Sequence, residues 1–179
     1  MKGIVFEGFL QMVEENYGYK IVDQLLTEND LASGGIYTSV GTYDHREMVK
    51  LISTLGQKTG QNIPSLLKAF GLYFFGALKN GYPQFLEAAE NAFDFLQSIE
   101  NHIHVEVKKL YPDAELPSFK TKRIDPNTLE MIYQSERKMA DFAEGLIEKS
   151  LEYYGENALV EKTNLDPDGS TVQFIISKK

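Results

Sequence analysis

The sequence predicts an α+β fold, a helical N-terminal region followed by a small antiparallel sheet that carries one packed helix. Apolar residues recur at helical spacing through most of residues 4–110. After Tyr111-Pro112 the pattern changes, and Pro117, Pro126 and Pro167 punctuate short runs rich in β-formers. Helices gathered first and strands afterwards make an α+β arrangement rather than an alternating α/β one.

In chain order, turns are expected at Gly18-Tyr19, Ser33-Gly34-Gly35, Gly56 to Gly60 and Gly81-Tyr82-Pro83, where glycine and proline interrupt the helical period. Asp44 before Arg46-Glu47-Met48, and Asn62 or Ser65 before Leu66-Leu67, carry the oxygens that cap a helix N-terminus. A long helix is predicted from Gln84 to about Leu110. Strands are predicted at Ser118 to Ile124, Thr128 to Ser135, Ala158 to Asn164 and Thr171 to Ser177, with a helix from Glu136 to Tyr154 between the second and third. Asp166-Pro167-Asp168-Gly169 is the turn of a closing hairpin. The 179 residues suit one domain, 1–179, with 1–112 mainly helical and 113–179 forming sheet plus helix.

Composition removes several function classes. Twenty-six acidic against 18 basic side chains give a formal net charge of −8, which repels nucleic acid and anionic lipid surfaces. The absence of cysteine rules out disulfides, zinc–thiolate sites, iron–sulfur clusters and covalent haem attachment. Any metal must be held by histidine or carboxylate. The apolar stretch Ala69 to Leu78, bracketed by Lys68 and Lys79, is about half a membrane span, and Glu7 interrupts the N-terminus before a signal-type segment forms. No membrane insertion and a cytoplasmic location are therefore expected.

Helix phasing separates the histidines. At 100° per residue His102 and His104 point about 200° apart. Phe85, Ala89, Ala92, Leu96, Ile99, Ile103, Val107 and Leu110 form one apolar stripe; His104 borders it, whereas His102 falls on the hydrated side near Asn91 and Lys109. His45, among charged neighbours, reads as a solvated helix start. Alone, His104 reads as a core-edge histidine hydrogen-bonded to a carbonyl, and a ligand role needs a second observation.

A second constellation is Tyr133-Gln134-Ser135-Glu136-Arg137. In an extended strand Tyr133, Ser135 and Arg137 emerge on one face, where two hydroxyls and a guanidinium fork suit a pair of carboxylates or a phosphate. The plain alternative is an exposed strand end. One haem would account for both features, with an axial ligand at its centre and polar donors at its propionate edge. Phe70, Tyr73, Phe74, Phe75, Phe85, Phe93, Phe95 and Phe142 could wall it, or could simply be core.

At these residues the chain resembles the haem nitric oxide/oxygen binding (H-NOX) family, which includes the sensor domain of soluble guanylate cyclase and standalone bacterial proteins. The resemblance runs along the whole chain: Met1-Lys2-Gly3, the Val-x-Lys-x-Leu-Tyr-Pro segment ending at Pro112, and Tyr-x-Ser-x-Arg itself. It implies haem b (iron protoporphyrin IX) between the two parts of the fold, His104 as the iron ligand, and Tyr133, Ser135 and Arg137 as the propionate clamp. It makes Pro117, 13 residues after His104, the proline that presses on the porphyrin. Ile4, Val5, Phe9, Phe74, Phe75, Phe142 and Leu146 become pocket lining.

Oxygen-binding members carry a distal tyrosine nine residues beyond the motif tyrosine, and here that position is Phe142. A phenyl ring donates no hydrogen bond, so the resemblance implies a sensor of NO and CO that excludes O2 and is not an enzyme. NO would weaken the bond between iron and His104 and free its helix to shift, passing the signal in trans to a histidine kinase or a cyclic-di-GMP enzyme. The competing readings are a haem enzyme, which needs distal acid–base groups, and a carrier of an apolar carboxylate, which needs the clamp without iron.

Overall fold

The computed structural model describes residues 1–179. Seven of its eight helices precede the sheet. Helix α1, Gly3–Tyr17, buries Phe6, Phe9, Met12 and Val13 on one face. It ends at Gly18, whose φ of 84° turns the chain into α2, Tyr19–Thr27. The segment between α2 and the next helix is pinned by the buried carboxylate of Glu47, which accepts from Ser33 N (3.1 Å), Ser33 Oγ (2.5 Å) and the Tyr37 hydroxyl (2.7 Å). Helix α3, His45–Thr59, is capped by Asp44 accepting from Arg46 N. Asn62, and not Ser65, caps α4, Ile63–Gly81, by accepting from Ser65 N at 2.9 Å.

The single helix expected from Gln84 to Leu110 is corrected to four pieces. α5 spans Pro83–Glu87 and α6 Ala92–Ser98, a π-helical turn covers Ile99–Ile103, and α7 spans His104–Leu110. The first break follows from Asn91, which is extended and accepts from Asp94 N at 3.0 Å, starting a helix of its own. In the π turn the His104 amide reaches back five residues to the Ile99 carbonyl. The extra residue in that turn delays the rotation of everything after it. A plain α-helix would leave His104 about 80° from the centre of the apolar stripe; the lag swings it inward. It also carries Leu110, placed on the stripe by simple phasing, out to 60% exposure.

The four strands are β1 (Ser118–Asp125), β2 (Thr128–Gln134), β3 (Ala158–Asn164) and β4 (Thr171–Lys178), in the order β1-β2-β4-β3 and antiparallel throughout. Alternation buries Leu129, Met131 and Tyr133 of β2 and Val172, Phe174 and Ile176 of β4 on one face. That face packs with Ala143, Ile147 and Leu151 of α8 (Ala140–Tyr153) and with Phe93 and Leu96 of α6. A separate core gathers α1 to α4. Helices α4 and α8 join the two halves through glycines. A Cβ on Gly71 would lie 2.1 Å from the Phe142 carbonyl oxygen, and one on Gly145 would lie 2.2 Å from that of Lys68, so only hydrogen fits at this crossing. Around the crossing, Lys68 reaches Glu144 and Glu148, each at 2.8 Å, and Lys162 of β3 reaches Glu144 and Asp141.

Candidate functional site

A cavity of about 300 Å³ opens between the two cores, within the size range of small-molecule sites. Helices α1, α4 and α8 supply Ile4, Val5, Phe70, Phe74, Phe75, Phe142 and Leu146, while the π turn, α7 and the sheet supply Ile99, Ile103, His104, Val107, Phe119 and Met131. Pro117, Tyr133, Ser135 and Arg137 complete the wall. The structure thus brings together on one cavity eleven of the twelve residues singled out from the sequence. Phe9 is the correction: it is absent from the lining and fully buried one layer back, edge-on to Phe70 at a centroid distance of 5.3 Å. Helical spacing identified an inward-facing residue but could not distinguish the wall from the layer behind it.

His104 keeps 14% of its side chain exposed. Its Nδ1 lies 3.2 Å from Glu100 Oε2. Burial pulls the imidazole below its ordinary pKa against the opposing pull of Glu100, which favours the neutral form that ligates metals. With Nδ1 committed to a carboxylate, Nε2 is the nitrogen left without a protein partner. His102 is exposed, its ring edge-on to Phe85 at 6.1 Å. His45 is absent from the cavity lining and has Nδ1 3.8 Å from Asp44. No group of three or more histidine or acidic side chains is arranged to hold a bare metal ion.

The three polar residues of the Tyr-x-Ser-x-Arg motif share the cavity edge, but not as one continuous strand. β2 stops at Gln134, and residues 135–139 turn with Lys138 at φ 55° before α8 starts at Ala140, later than the expected Glu136. The turn is built by the motif itself: Arg137 N donates to Ser135 Oγ (3.2 Å) and Met139 N donates to the Tyr133 hydroxyl (3.0 Å). Burial raises the Tyr133 phenol, keeping it protonated. Arg137, 14% exposed, donates from Nη2 to Glu115 Oε2 at 2.9 Å, and Glu115 is 77% exposed. The guanidinium therefore already grips a carboxylate, and one free to move into solvent.

The rest of the cavity is mostly apolar, with Lys2 and the paired hydroxyls of Tyr82 and Tyr111 (3.5 Å) also in its lining. On the wall formed by α1, α4 and α8 the one polar side chain is Ser150, whose hydroxyl donates to the Leu146 carbonyl at 2.7 Å. Tyr73 lies elsewhere. It lines a smaller pocket with Met12 and Tyr17, and its phenol is pushed up to about 12 by burial and by hydrogen bonding to Glu15. Glu100, Glu115 and Phe119 escaped the sequence reading. Only Glu100 left a signal, its four-residue spacing from His104.

The fit to a haem follows from these groups. A histidine whose burial favours the neutral form lines a largely apolar cavity with one ring nitrogen unpartnered, and a guanidinium that takes a carboxylate lines it with two hydroxyls.

The chain matches the Haem-NO-binding family over residues 2–162. It is similar to the unliganded Fe(II) H-NOX protein of K. algicida, at 42% identity, covering 100% of this chain and 97% of that one with a TM-score of 0.96. It is similar also to the H-NOX of Shewanella woodyi, solved with IWP-051 bound in the Fe(II)CO state, at 39% identity, 100% and 95% coverage and a TM-score of 0.85. Soluble guanylate cyclase 89Db of Drosophila melanogaster is 27% identical over 159 residues, 87% of this chain, which spans only 24% of that protein's length. With a family match along most of its length and the same fold as solved H-NOX proteins at about two-fifths identity, this chain belongs to the Haem-NO-binding (H-NOX) family.

Proposed function

We propose that this chain is a haem-based sensor of NO and CO that discriminates against O2 and signals to a partner regulatory protein. The observation that carries the reading is the single cavity shared by the His104 imidazole and the Tyr133, Ser135 and Arg137 side chains. A haem bound there would supply a ferrous iron at which a diatomic gas coordinates. With no cysteine in the chain it would be held without covalent attachment, as haem b.

His104 would ligate the iron through Nε2. Arg137 would exchange the solvent-exposed Glu115 carboxylate for a propionate, helped by the Tyr133 and Ser135 hydroxyls. Pro117 and Leu116 line the same cavity as His104, where they would restrict how the macrocycle sits. Ile4, Val5, Phe74, Phe142 and Leu146 exclude water and present no hydrogen-bond donor, which supports preference for NO and CO over O2, since O2 gains most from a donor. H-NOX domains are sensory rather than catalytic, and a sensory role for this chain is part of this reading. A histidine kinase or a cyclic-di-GMP enzyme is the partner class in this reading, and the cytoplasm its setting. No helix is long and apolar enough to cross a membrane.

The test is an absorption spectrum of the reduced, purified protein in air and then with NO. A Soret band unchanged by air and shifted by NO is expected. No Soret band would leave the apolar-carboxylate carrier, and rapid peroxide consumption would favour a haem enzyme.

A further inference from the structure

The Glu100 carboxylate does more than pair with a nearby histidine. Its Oε2 accepts the backbone N–H of Phe119 at 2.9 Å, a donor whose identity is not in question, and the same oxygen lies 3.2 Å from His104 Nδ1. An ionised carboxylate can only accept, so the imidazole proton sits on Nδ1. Phe119 stands opposite Tyr133 in the β1–β2 register, and its ring is 5.9 Å from that of His104 and 5.6 Å from that of Tyr133. One oxygen atom therefore ties the orientation of the imidazole to the strand that faces the first residue of the Tyr-x-Ser-x-Arg motif. Glu100 sits four residues before His104, inside a π turn in which the His104 amide bonds five residues back.

We propose that Glu100 is a positioning residue for His104: it fixes the ring with Nε2 toward the cavity and, by drawing on the Nδ1 proton, strengthens the bond that Nε2 makes to iron. It thereby sets how readily gas binding detaches the histidine. The inference rests on His104 being the iron ligand. Partners of this kind hold a ligating histidine in one tautomer and raise its basicity, and their loss weakens metal binding by about 10–100-fold. Phe119 links the same oxygen to the sheet, so Glu100 would keep the imidazole tied to β1 rather than swinging freely.

The test is resonance Raman spectroscopy of the haem-loaded ferrous protein, following the iron–histidine stretch in the wild type, Glu100→Gln and Glu106→Gln. Gln keeps the length and the acceptor for Phe119 but removes the charge. Glu106, on the same helix and paired with Lys109, is the control. Glu100→Gln should move the band to lower frequency and hasten haem loss by about 10-fold or more, with Glu106→Gln at the wild-type position. A Glu100→Gln band at the wild-type frequency overturns the proposal. No iron–histidine band in the wild type would instead overturn the His104 assignment beneath it. Should Glu100→Gln fail to hold haem, a crystal structure of the haem-loaded wild type decides: Nδ1 on Glu100 supports the proposal, and Nδ1 on any other acceptor ends it.

Discussion

Two alanine substitutions, chemically identical, should move stability in opposite directions. At Gly145 the added methyl would sit 2.2 Å from the Lys68 carbonyl oxygen, 2.8 Å from Leu72 N and 3.0 Å from Gly71 Cα, all backbone atoms of α4. Ordinary contact begins at 3.4 Å, so the helices must part by about 1.2 Å. Backbone cannot rotate aside as a side chain does, and overpacking of this kind costs about 1–3 kcal/mol. For a chain of this length that lowers Tm by about 2–12 °C. At Gly76, within α4, an added Cβ meets nothing within 4 Å. There alanine relieves the entropic cost of a helical glycine, worth about 0.5–1 kcal/mol, and raises Tm by about 1–4 °C. Thermal unfolding followed by circular dichroism reads both. A Gly145→Ala protein as stable as the wild type would refute the close α4–α8 crossing on which one wall of the cavity is built, and a destabilised Gly76→Ala protein would refute the open space assigned to that face of α4.

Arg137→Leu removes the charged donor from the cavity edge; a charge-assisted hydrogen bond of about 1.5–3 kcal/mol corresponds to about 10- to 150-fold faster haem transfer to an acceptor globin, and unchanged retention would contradict the clamp. Phe142→Tyr places a hydroxyl on the apolar wall and should raise O2 affinity by about 2- to 10-fold in an oxygen titration, whereas no change would show that Phe142 does not face the gas. Burial raises the Glu144 pKa, but hydrogen bonds from Lys162 and Lys68 outweigh it and leave the carboxyl below its ordinary value of 4.5. A lowered folded pKa contributes stability that is present above the ordinary value and lost as pH falls through the folded one. Glu144→Gln should therefore flatten the acid limb of stability measured by urea unfolding below pH about 4.5, and an unaltered limb would show that this ion cluster does not couple α8 to α4 and β3.

Much of the fold was legible because binary alternation is a local signal. Leu129, Met131 and Tyr133, and Val172, Phe174 and Ile176, announce the buried face of the sheet from period alone, and strand ends fell within a residue or so of the prediction. The helix carrying His104 was legible only in part. Apolar spacing cannot reveal an i→i+5 hydrogen bond, so Leu110 was assigned to the buried stripe and is exposed, while His104 turned inward more fully than phasing implied. The motif residues meet at one cavity for a reason the strand argument missed: Ser135 bends the chain by accepting from Arg137 N, and a straight strand is not needed. Glu115 had no local spacing to betray it, since it reaches Arg137 across 22 residues of sequence. Tyr73 turned on side-chain direction, which sequence period does not give, and it points to Glu15 rather than to the cavity.

The central claim, that iron is held through His104, is tested most directly by His104→Gly in the purified protein, with the visible spectrum recorded before and after adding imidazole. Haem lost on substitution and regained when free imidazole enters the vacated space is the predicted result, with His102→Gly spectrally unchanged. A His104→Gly protein that keeps the wild-type spectrum unaided, or a His102→Gly protein that loses it, would contradict the account.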